Sequence, residues 1–328
     1  MIGVGAFGRN HARIYKQLEQ QGAPVRLLGV VDPDVARADE AGREFSCRSF
    51  GSLEQLVTTH SEVQAASVTV PTVHHLDVAR TLMEAGVDVL IEKPLANSLG
   101  EADQLIALAR TKQRVAQVGH LERFNPAVRA TTPLITRPMF FEVHRLSVFT
   151  PRALDVDVVL DLMIHDLDIV LAFVNSPVQE VRAVGLAILS GKTDIANVRI
   201  EFASGCVANF TASRVSTERI RKLRFFQPRQ YISIDYSLQD VLVFTVGDEA
   251  ESQMTPSVNP QIGMMKPPIV GEEPLHAELK SFLDAVRTRS TPVVPLEDGR
   301  RALALALEIV DKIKQHGDRI ELSKLSSR

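Results

Sequence analysis

Three groups of residues in this sequence have types and spacings that are typical of chemistry. The first lies in VVLDLMIHD, where Asp161 and His165 stand four residues apart in an apolar segment. Residues at this spacing share one helix face, so the carboxylate can hold the imidazole and stabilise its protonated form. A histidine held in this way is a general base for a substrate hydroxyl. The alternatives are a helix-surface salt bridge and a metal pair, but further ligands at recognisable spacing are missing and we expect no metal.

The second group is Glu92-Lys93-Pro94, which directly follows the apolar run VDVLI. Ligands of open α/β sheets bind beyond the carboxyl ends of the strands, and a proline restricts the preceding residue to extended backbone. A lysine fixed there stabilises negative charge that develops on a substrate oxygen. An ordinary surface lysine beside a turn proline is the alternative that this tripeptide leaves open.

The third group is the segment GVGAFG, in which Gly3, Gly5 and Gly8 have the spacing of a dinucleotide-binding loop. Asp32 ends the run LLGVVD 24 positions after Gly8, and no arginine follows it directly. The pattern predicts that the loop presents a helix N-terminus to a pyrophosphate while Asp32 accepts hydrogen bonds from the adenosine ribose. Because a carboxylate there repels a 2′-phosphate, NAD is favoured over NADP. A glycine-rich terminus with a surface aspartate is the alternative.

Other residues near predicted strand ends complete the candidate cofactor site. Pro71 and Thr72 follow the run SVTV where the chain would pass the nicotinamide ribose or the diphosphate, and His75 is predicted to contact the cofactor at a helix start. The predicted cofactor-binding residues are Gly3, Gly5, Ala6, Phe7, Gly8, Asp32, Pro71, Thr72, His75, Glu92 and Lys93.

The segment GHLERFNPA adds candidate substrate contacts after the last strand of the first domain. Arg123 and Asn125 are predicted to face the substrate, and an ordinary solvated link between domains is the alternative. His120 is equally compatible with a place near the nicotinamide and with a structural role.

Elements of two kinds must position these residues. Up to about residue 120, short apolar runs at 25–31, 65–70, 87–91 and 115–118 alternate with amphipathic segments, which predicts a parallel sheet wrapped by helices. Only Met1 and Ile2 precede the glycine loop, so we expect either a natural start further upstream or a truncated, frayed first strand. The predicted first domain is a Rossmann domain over residues 1–122.

Residues 123–328 form the predicted second domain, for substrate binding and oligomerisation. Consecutive strand-like runs, with a hairpin turn at Ser204-Gly205, predict a large, mainly antiparallel sheet with one open face. A helix over about 155–174 interrupts the strands, a Pro- and Gly-rich surface loop is predicted at 252–273, and two helices near 275–288 and 297–315 close the chain. The predicted fold class is therefore α/β with two domains.

Composition narrows the class of protein. The 328 residues carry a formal net charge of -3 without a basic face, which argues against nucleic acid as a partner. The two cysteines have no metal-ligand spacing, which favours free thiols in a reducing compartment. Since neither a signal peptide nor a membrane-spanning run is recognisable, we expect a cytoplasmic protein without a membrane partner.

Taken together, these motifs resemble the Gfo/Idh/MocA family of oxidoreductases over essentially the whole chain. The matching segments are GVGAFG at 3–8, VVD at 30–32, EKP at 92–94, GHLERFNPA at 119–127 and DLMIHD at 161–166. The resemblance implies that Lys93, Asp161 and His165 occupy catalytic positions and Arg123 a substrate-contact position. It also implies homodimers or homotetramers that pack their C-terminal sheets face to face.

Family members oxidise or reduce a ring carbon of a sugar or cyclitol with a nicotinamide cofactor. Many have paired glycines before the catalytic aspartate, where this chain has Val158-Val159, which indicates a subgroup. That subgroup resembles enzymes acting on C3 of UDP-N-acetylglucosamine, so a UDP-sugar is the expected substrate and a 3-keto sugar nucleotide the product. An inositol or free-sugar dehydrogenase, and a non-catalytic cofactor-sensing regulator, are the alternative functions.

Overall fold

The computed structural model describes residues 1–150, 156–247 and 262–319. It divides into two compact units: Met1–Phe124 with Glu273–Leu303, and Asn125–Glu272 with Ala304–Arg328. The first unit thus contains a returning segment that a linear division at residue 122 does not include. The assignment of roles to the two domains stays a prediction.

The elements of the described residues are numbered along the chain. The strands are β1 (Gly29–Val31), β2 (Arg48–Phe50), β3 (Ala65–Val68), β4 (Asp88–Glu92), β5 (Ala116–Gly119), β6 (Phe140–Val148), β7 (Val178–Leu186), β8 (Ile195–Phe202), β9 (Val207–Ser216), β10 (Ile220–Gln227), β11 (Gln230–Asp235), β12 (Asp240–Val246) and β13 (Ile262–Met265). The α-helices are α1 (Ala6–Gln20), α2 (Val35–Glu44), α3 (Leu53–Thr59), α4 (His75–Glu84), α5 (Leu99–Thr111), α6 (Pro126–Thr131), α7 (Ile164–Val174), α8 (Pro274–Thr288) and α9 (Leu296–Arg319).

The first unit contains the predicted parallel sheet, and the short N-terminal segment lies at its centre. Ile2 forms parallel bridges to both Val31 and Val68, so it joins the β1–β2 pair to the β3–β4–β5 group. The N–H of Ile2 donates to the carbonyl of Ser67 at 2.9 Å, and the N–H of Gly3 donates to that of Val31 at 2.8 Å. Ile2 and Gly3 therefore pair with their neighbours as a central strand does. The glycine loop consequently lies at the carboxyl edge of the sheet.

The returning segment packs on the first unit through α8. Its apolar face places Leu275, Leu279 and Phe282 in the same buried cluster as Ile14 and Leu18 of α1. Apolar residues three and four apart on each helix create these two faces, and burying them against each other anchors α1 behind the glycine loop.

The second unit contains an eight-stranded sheet in its described residues, in the order β13-β12-β11-β10-β6-β9-β8-β7. All neighbours are antiparallel except the parallel pair β6–β9. The hairpin at Gly205, whose φ is +84°, joins β8 to β9 as predicted. Burial alternates along most strands, so one face is covered and the other more exposed, as the period-two pattern predicts.

Three secondary-structure predictions need correction. The run 25–31 forms a strand only at Gly29–Val31. The predicted loop 252–273 contains β13 at Ile262–Met265, while the part up to residue 261 lies outside the described residues. The predicted regular helix 155–174 starts outside the described residues, and from Val159 to Met163 it is a π-helical turn that continues into α7.

Candidate active site

The glycine loop has the geometry of a phosphate site. Gly3 has a φ of +85°, and a Cβ at Gly8 would clash with the carbonyl oxygen of Gly3, so neither position tolerates a side chain. A Cβ at Gly5 would instead meet nothing within 4 Å. Helix α1 begins directly after Gly5 with no side-chain cap and no acidic residue in its first turn. The loop thus leaves an open approach to uncapped helix N–H groups, which fits a dinucleotide pyrophosphate.

Asp32 lies at the carboxyl end of β1 and is buried, with 3% exposure. Its Oδ2 accepts the N–H of Val4 at 3.0 Å, and its Oδ1 accepts the N–H of Asp34 at 3.0 Å. These bonds hold the carboxylate beside the glycine loop, where a ribose would bind. The guanidinium of Arg37 also contacts Oδ1 at 3.3 Å from the first turn of α2. The residues directly after Asp32 give no signal of this contact, because Arg37 lies further along the chain inside α2.

The Glu92-Lys93-Pro94 turn leaves the carboxyl end of β4, and the Lys93–Pro94 peptide is cis. Glu92 is buried and Lys93 is half-buried. The imidazole of His75 braces this turn from α4: its Nδ1 lies 3.1 Å from the carbonyl oxygen of Pro94 and its Nε2 lies 3.0 Å from that of Val70. Burial lowers the pKa of His75, which favours the neutral ring. The contact of His75 with a cofactor stays a prediction.

Thr69 fixes the chain after β3, next to Pro71 and Thr72. Its Oγ1 donates to the carbonyl of Gly3 at 2.7 Å, so it ties the end of β3 to the glycine loop. Pro71 is exposed and Thr72 is half-exposed at the start of a 3₁₀ turn, Thr72–His74. Both are accessible to a ligand at this edge of the sheet.

The GHLERFNPA segment is more structured than a solvated link. Arg123 pairs with Asp298 at 3.0 Å. The Asn125 side chain caps α6 by accepting the N–H of Ala127 at 3.1 Å and donates to the carbonyl of Tyr236 at 3.0 Å. His120 is 1% exposed. The predicted substrate contacts of Arg123 and Asn125 stay predictions.

Asp161 lies in the π-helical turn and His165 in the first turn of α7, both half-buried. A π-helical turn thus carries Asp161 in place of the predicted regular helix, and the pairing of its carboxylate with His165 stays a prediction. Next to His165, the carboxylate of Asp166 accepts two hydrogen bonds from Arg145, at 2.6 and 2.9 Å, and both side chains are buried. The Arg145 guanidinium also lies 5.2 Å from the ring centroid of Tyr236. This pair fixes the start of α7 to the sheet.

A second set of contacts holds the π-helical turn from its N-terminal side. The N–H of Thr193 donates to Oδ1 of Asp157 at 3.0 Å, and the N–H of Val158 donates to the carbonyl of Thr193 at 2.9 Å. Val158 and Val159 are fully buried. The backbone carrying Asp161 is therefore determined by packing as well as by hydrogen bonds.

Comparison with known proteins agrees with this architecture. Residues 1–120 match the family described as an oxidoreductase family with an NAD-binding Rossmann fold, and residues 135–230 match the GFO/IDH/MocA C-terminal domain. The chain belongs to the Gfo/Idh/MocA family. The resemblance predicted from its motifs is confirmed, and the chain is an enzyme of the NAD-binding oxidoreductases.

Individual relatives share most of the chain. A UDP-N-acetylglucosamine 3-dehydrogenase of Acidithiobacillus ferrooxidans is 36% identical over 310 residues, which are 94% of this chain and 95% of the relative. A solved structure of that enzyme has a TM-score of 0.86 over 96% of each chain, at 35% identity. A scyllo-inositol 2-dehydrogenase (NAD⁺) of Bacillus subtilis is 27% identical over 66% of this chain and 67% of its own.

The predicted fold class, the oxidoreductase class and the NAD cofactor are thus confirmed. The described residues include no helix that is both long enough and apolar enough to span a membrane. Within the same residues, no group of three or more His, Cys, Asp and Glu side chains is arranged to hold a metal ion.

Proposed function

We propose that this protein oxidises C3 of UDP-N-acetylglucosamine with NAD⁺ to give the 3-keto sugar nucleotide. The observation that carries the proposal is the 36% identity to an enzyme of this activity over 94% of the chain. The segments GHLERFNPA and VVLDLMIHD, which resemble enzymes acting on this substrate, agree with it.

The proposed reaction assigns one role to each of three side chains. A ring nitrogen of His165 accepts the proton of the sugar 3-hydroxyl as the hydrogen on C3 leaves as hydride. The carboxylate of Asp161 orients the imidazole and stabilises its protonated form. The ammonium of Lys93 donates a hydrogen bond to the 3-oxygen and stabilises the negative charge that develops on this oxygen. When bound, NAD⁺ supplies the hydride acceptor. The glycine loop and Asp32 hold its pyrophosphate and ribose.

Steady-state kinetics with UDP-N-acetylglucosamine and NAD⁺ test this assignment. We expect NADH absorbance to grow with the wild-type protein, and His165→Ala to lower kcat by roughly 10²–10⁴-fold because positioned base catalysis contributes about that much. NADH binding, measured by fluorescence, should be unchanged in the variant. A His165→Ala protein with near-wild-type turnover would refute the base assignment.

A matched substrate panel separates the proposal from its alternatives. If scyllo-inositol or free sugars are turned over and UDP-N-acetylglucosamine is not, the chain is a cyclitol or free-sugar dehydrogenase. If NADH binds but no sugar or sugar nucleotide is oxidised or reduced, the result supports a non-catalytic cofactor-sensing regulator. The presence of Lys93, Asp161 and His165 together disfavours the regulator, since a sensor needs no proton-transfer set.

We further propose that the protein is a homo-oligomer through the open face of the β13–β7 sheet. Directly opposed residues form a ladder across five strands of this face: Phe140, Phe226, Tyr231, Phe244 and Met264. Ring centroids along it are 5.8, 4.9 and 5.6 Å apart, while Phe226 is 39% and Met264 is 68% exposed. A second copy that packs on this aromatic ladder would remove its apolar surface from water.

A further inference from the structure

A buried polar cluster lies beneath the Glu92-Lys93-Pro94 turn, within the first unit. Glu92 ends β4, His11 is on α1 and Glu278 is on α8; their exposures are 8%, 0% and 0%. Oε1 of Glu92 lies 3.1 Å from Nε2 of His11, in a close polar contact without the alignment of a hydrogen bond. Oε2 of Glu92 accepts the backbone N–H of Lys93 at 3.3 Å. One carboxylate thus contacts both the helix of the glycine loop and the backbone of the lysine.

The chain makes room for this carboxylate in a specific way. A Cβ at Gly119, on the neighbouring strand β5, would lie 2.5 Å from Oε1 and 2.7 Å from the carboxyl carbon of Glu92. Real Cβ atoms essentially never lie within 3.0 Å of such a heavy atom. Any side chain at Gly119 would therefore push the Glu92 carboxylate away. The glycine therefore keeps the carboxylate between Lys93 and His11.

One of the two carboxyl groups in the cluster favours its neutral form. Burial, followed by the nearby Glu92, raises the pKa of Glu278 well above its usual range, which favours the protonated, neutral carboxyl. Tyr15 also faces these two carboxyl groups, and its pKa is raised chiefly by burial, so it is neutral as well. Both carboxyl oxygens of Glu278 and Nδ1 of His11 have no hydrogen-bond partner among the described residues. Such a cluster costs stability, which indicates that it is retained for function.

The cluster reaches the cofactor loop through Phe7. The ring of Phe7, 40% exposed in the glycine loop, lies edge-on to the imidazole of His11 with centroids 5.1 Å apart. A dinucleotide on the loop would contact Phe7, Phe7 contacts His11, and His11 contacts the carboxylate that holds the backbone of Lys93.

We propose that His11 is a positioning residue that sets the place of Lys93 through Glu92 and links it to cofactor binding at the glycine loop. The proposal rests on the proposed function for its kinetic consequence, since Lys93 must act on the substrate oxygen. It goes beyond that function because neither His11 nor Gly119 touches the reacting atoms.

Kinetics of matched variants test the positioning role. We expect His11→Leu to lower kcat roughly 10- to 100-fold, since small misplacements of a reacting group cost about that much, and to leave KM and the Kd of NADH nearly unchanged. His11→Gln, which returns a polar group to Glu92, should recover most of the loss. Glu278→Gln, a near-isosteric change in the same cluster, should keep wild-type kcat. Equal losses in His11→Leu and His11→Gln would overturn the proposal.

A second variant covers the case in which His11→Leu does not fold. Gly119→Ala keeps the imidazole and displaces the Glu92 carboxylate instead, so it should show the same fall in kcat at constant KM. Wild-type kcat in a folded Gly119→Ala protein would contradict the role of the carboxylate.

A measurement without substrate separates this proposal from the proposed function. Reductive ¹³C-methylation gives each lysine an NMR signal, and the signal absent from Lys93→Arg belongs to Lys93. We expect NADH to shift this signal in the wild type and in Glu278→Gln, and to shift it less in His11→Leu. The same shift in all three proteins would refute the link, whatever the substrate proves to be; a wrong substrate would affect only the kinetics.

Discussion

At the scale of single residues, the clearest consequence is a pH dependence of stability at Glu278. Its pKa is raised in the folded protein, first by burial and then by Glu92. A carboxyl of this kind stabilises the fold fully below its unfolded pKa of about 4.3, and the contribution is lost as the pH rises toward the folded pKa. Glu278→Gln removes the titrating group, so its Tm relative to the wild type should increase as the pH rises from about 4.3 toward neutral.

Differential scanning fluorimetry across this pH range measures the effect. Glu84→Gln makes the same substitution at an exposed glutamate and is the matched control. A Tm difference for Glu278→Gln that does not change with pH would show that Glu278 has an ordinary pKa.

Candidate site residues were predictable from the sequence where they belong to a local pattern. The glycine loop, Asp32 and the position of Lys93 after a buried strand follow from spacing alone. His11 and Glu278 were missed, although each stands on the apolar face of its helix. Glu278 lies between Leu275, Leu279 and Phe282, where a carboxylate is out of place. A polar residue on such a face is the signal that would have found them.

At the scale of elements, the ion pair between Arg145 and Asp166 holds α7 against β6. Breaking this ion pair should destabilise the packing of the helix on the sheet. Asp166→Asn removes the carboxylate charge that faces the buried Arg145 guanidinium, and breaking a buried ion pair costs about 3–5 kcal/mol. We therefore expect a lower free energy of unfolding by that amount, measured by urea denaturation with circular dichroism. His165, the residue directly before Asp166, should lose its position, so we expect kcat to fall as well.

A double variant distinguishes the charge from the packing. Replacing both partners by apolar residues, as Arg145→Met with Asp166→Leu, should recover much of the stability, because no unpaired charge stays buried. A double variant as unstable as Asp166→Asn would mean that packing around the pair, and not the uncompensated charge, causes the loss.

The element that sequence reasoning described least well is the π-helical turn at Val159–Met163. The apolar periodicity of this segment predicts a regular helix, and the extra residue per turn has no periodic signal of its own. Contacts from outside the segment determine it: Thr193 binds Asp157 and Val158, and these residues are distant in sequence. Tertiary contacts of this kind cannot be recognised from local spacing.

At the scale of the whole molecule, the two sheets were predictable because the strands of each have a different hydrophobic pattern. Buried parallel strands are continuously apolar, and half-covered antiparallel strands alternate. The return of Glu273–Leu303 to the first unit was not predicted. It depends on the match between the apolar faces of α8 and α1, and amphipathicity shows that a helix has a buried face without showing what covers it.

The exposed aromatic ladder on the open face of the sheet predicts how copies of this chain assemble. The aromatic ladder spans five strands, so at about 4.8 Å per strand it is wide enough for the centre of a stable interface. We expect the wild type to sediment as a dimer or tetramer and Phe226→Glu to shift toward the monomer, because a buried carboxylate facing its symmetry mate is costly. Leu238→Glu is the matched control, since Leu238 is 75% exposed in the turn after β11 and off the ladder. NADH binding should survive in both variants. An unchanged mass for Phe226→Glu, or a monomeric wild type, would place the assembly surface elsewhere or remove it.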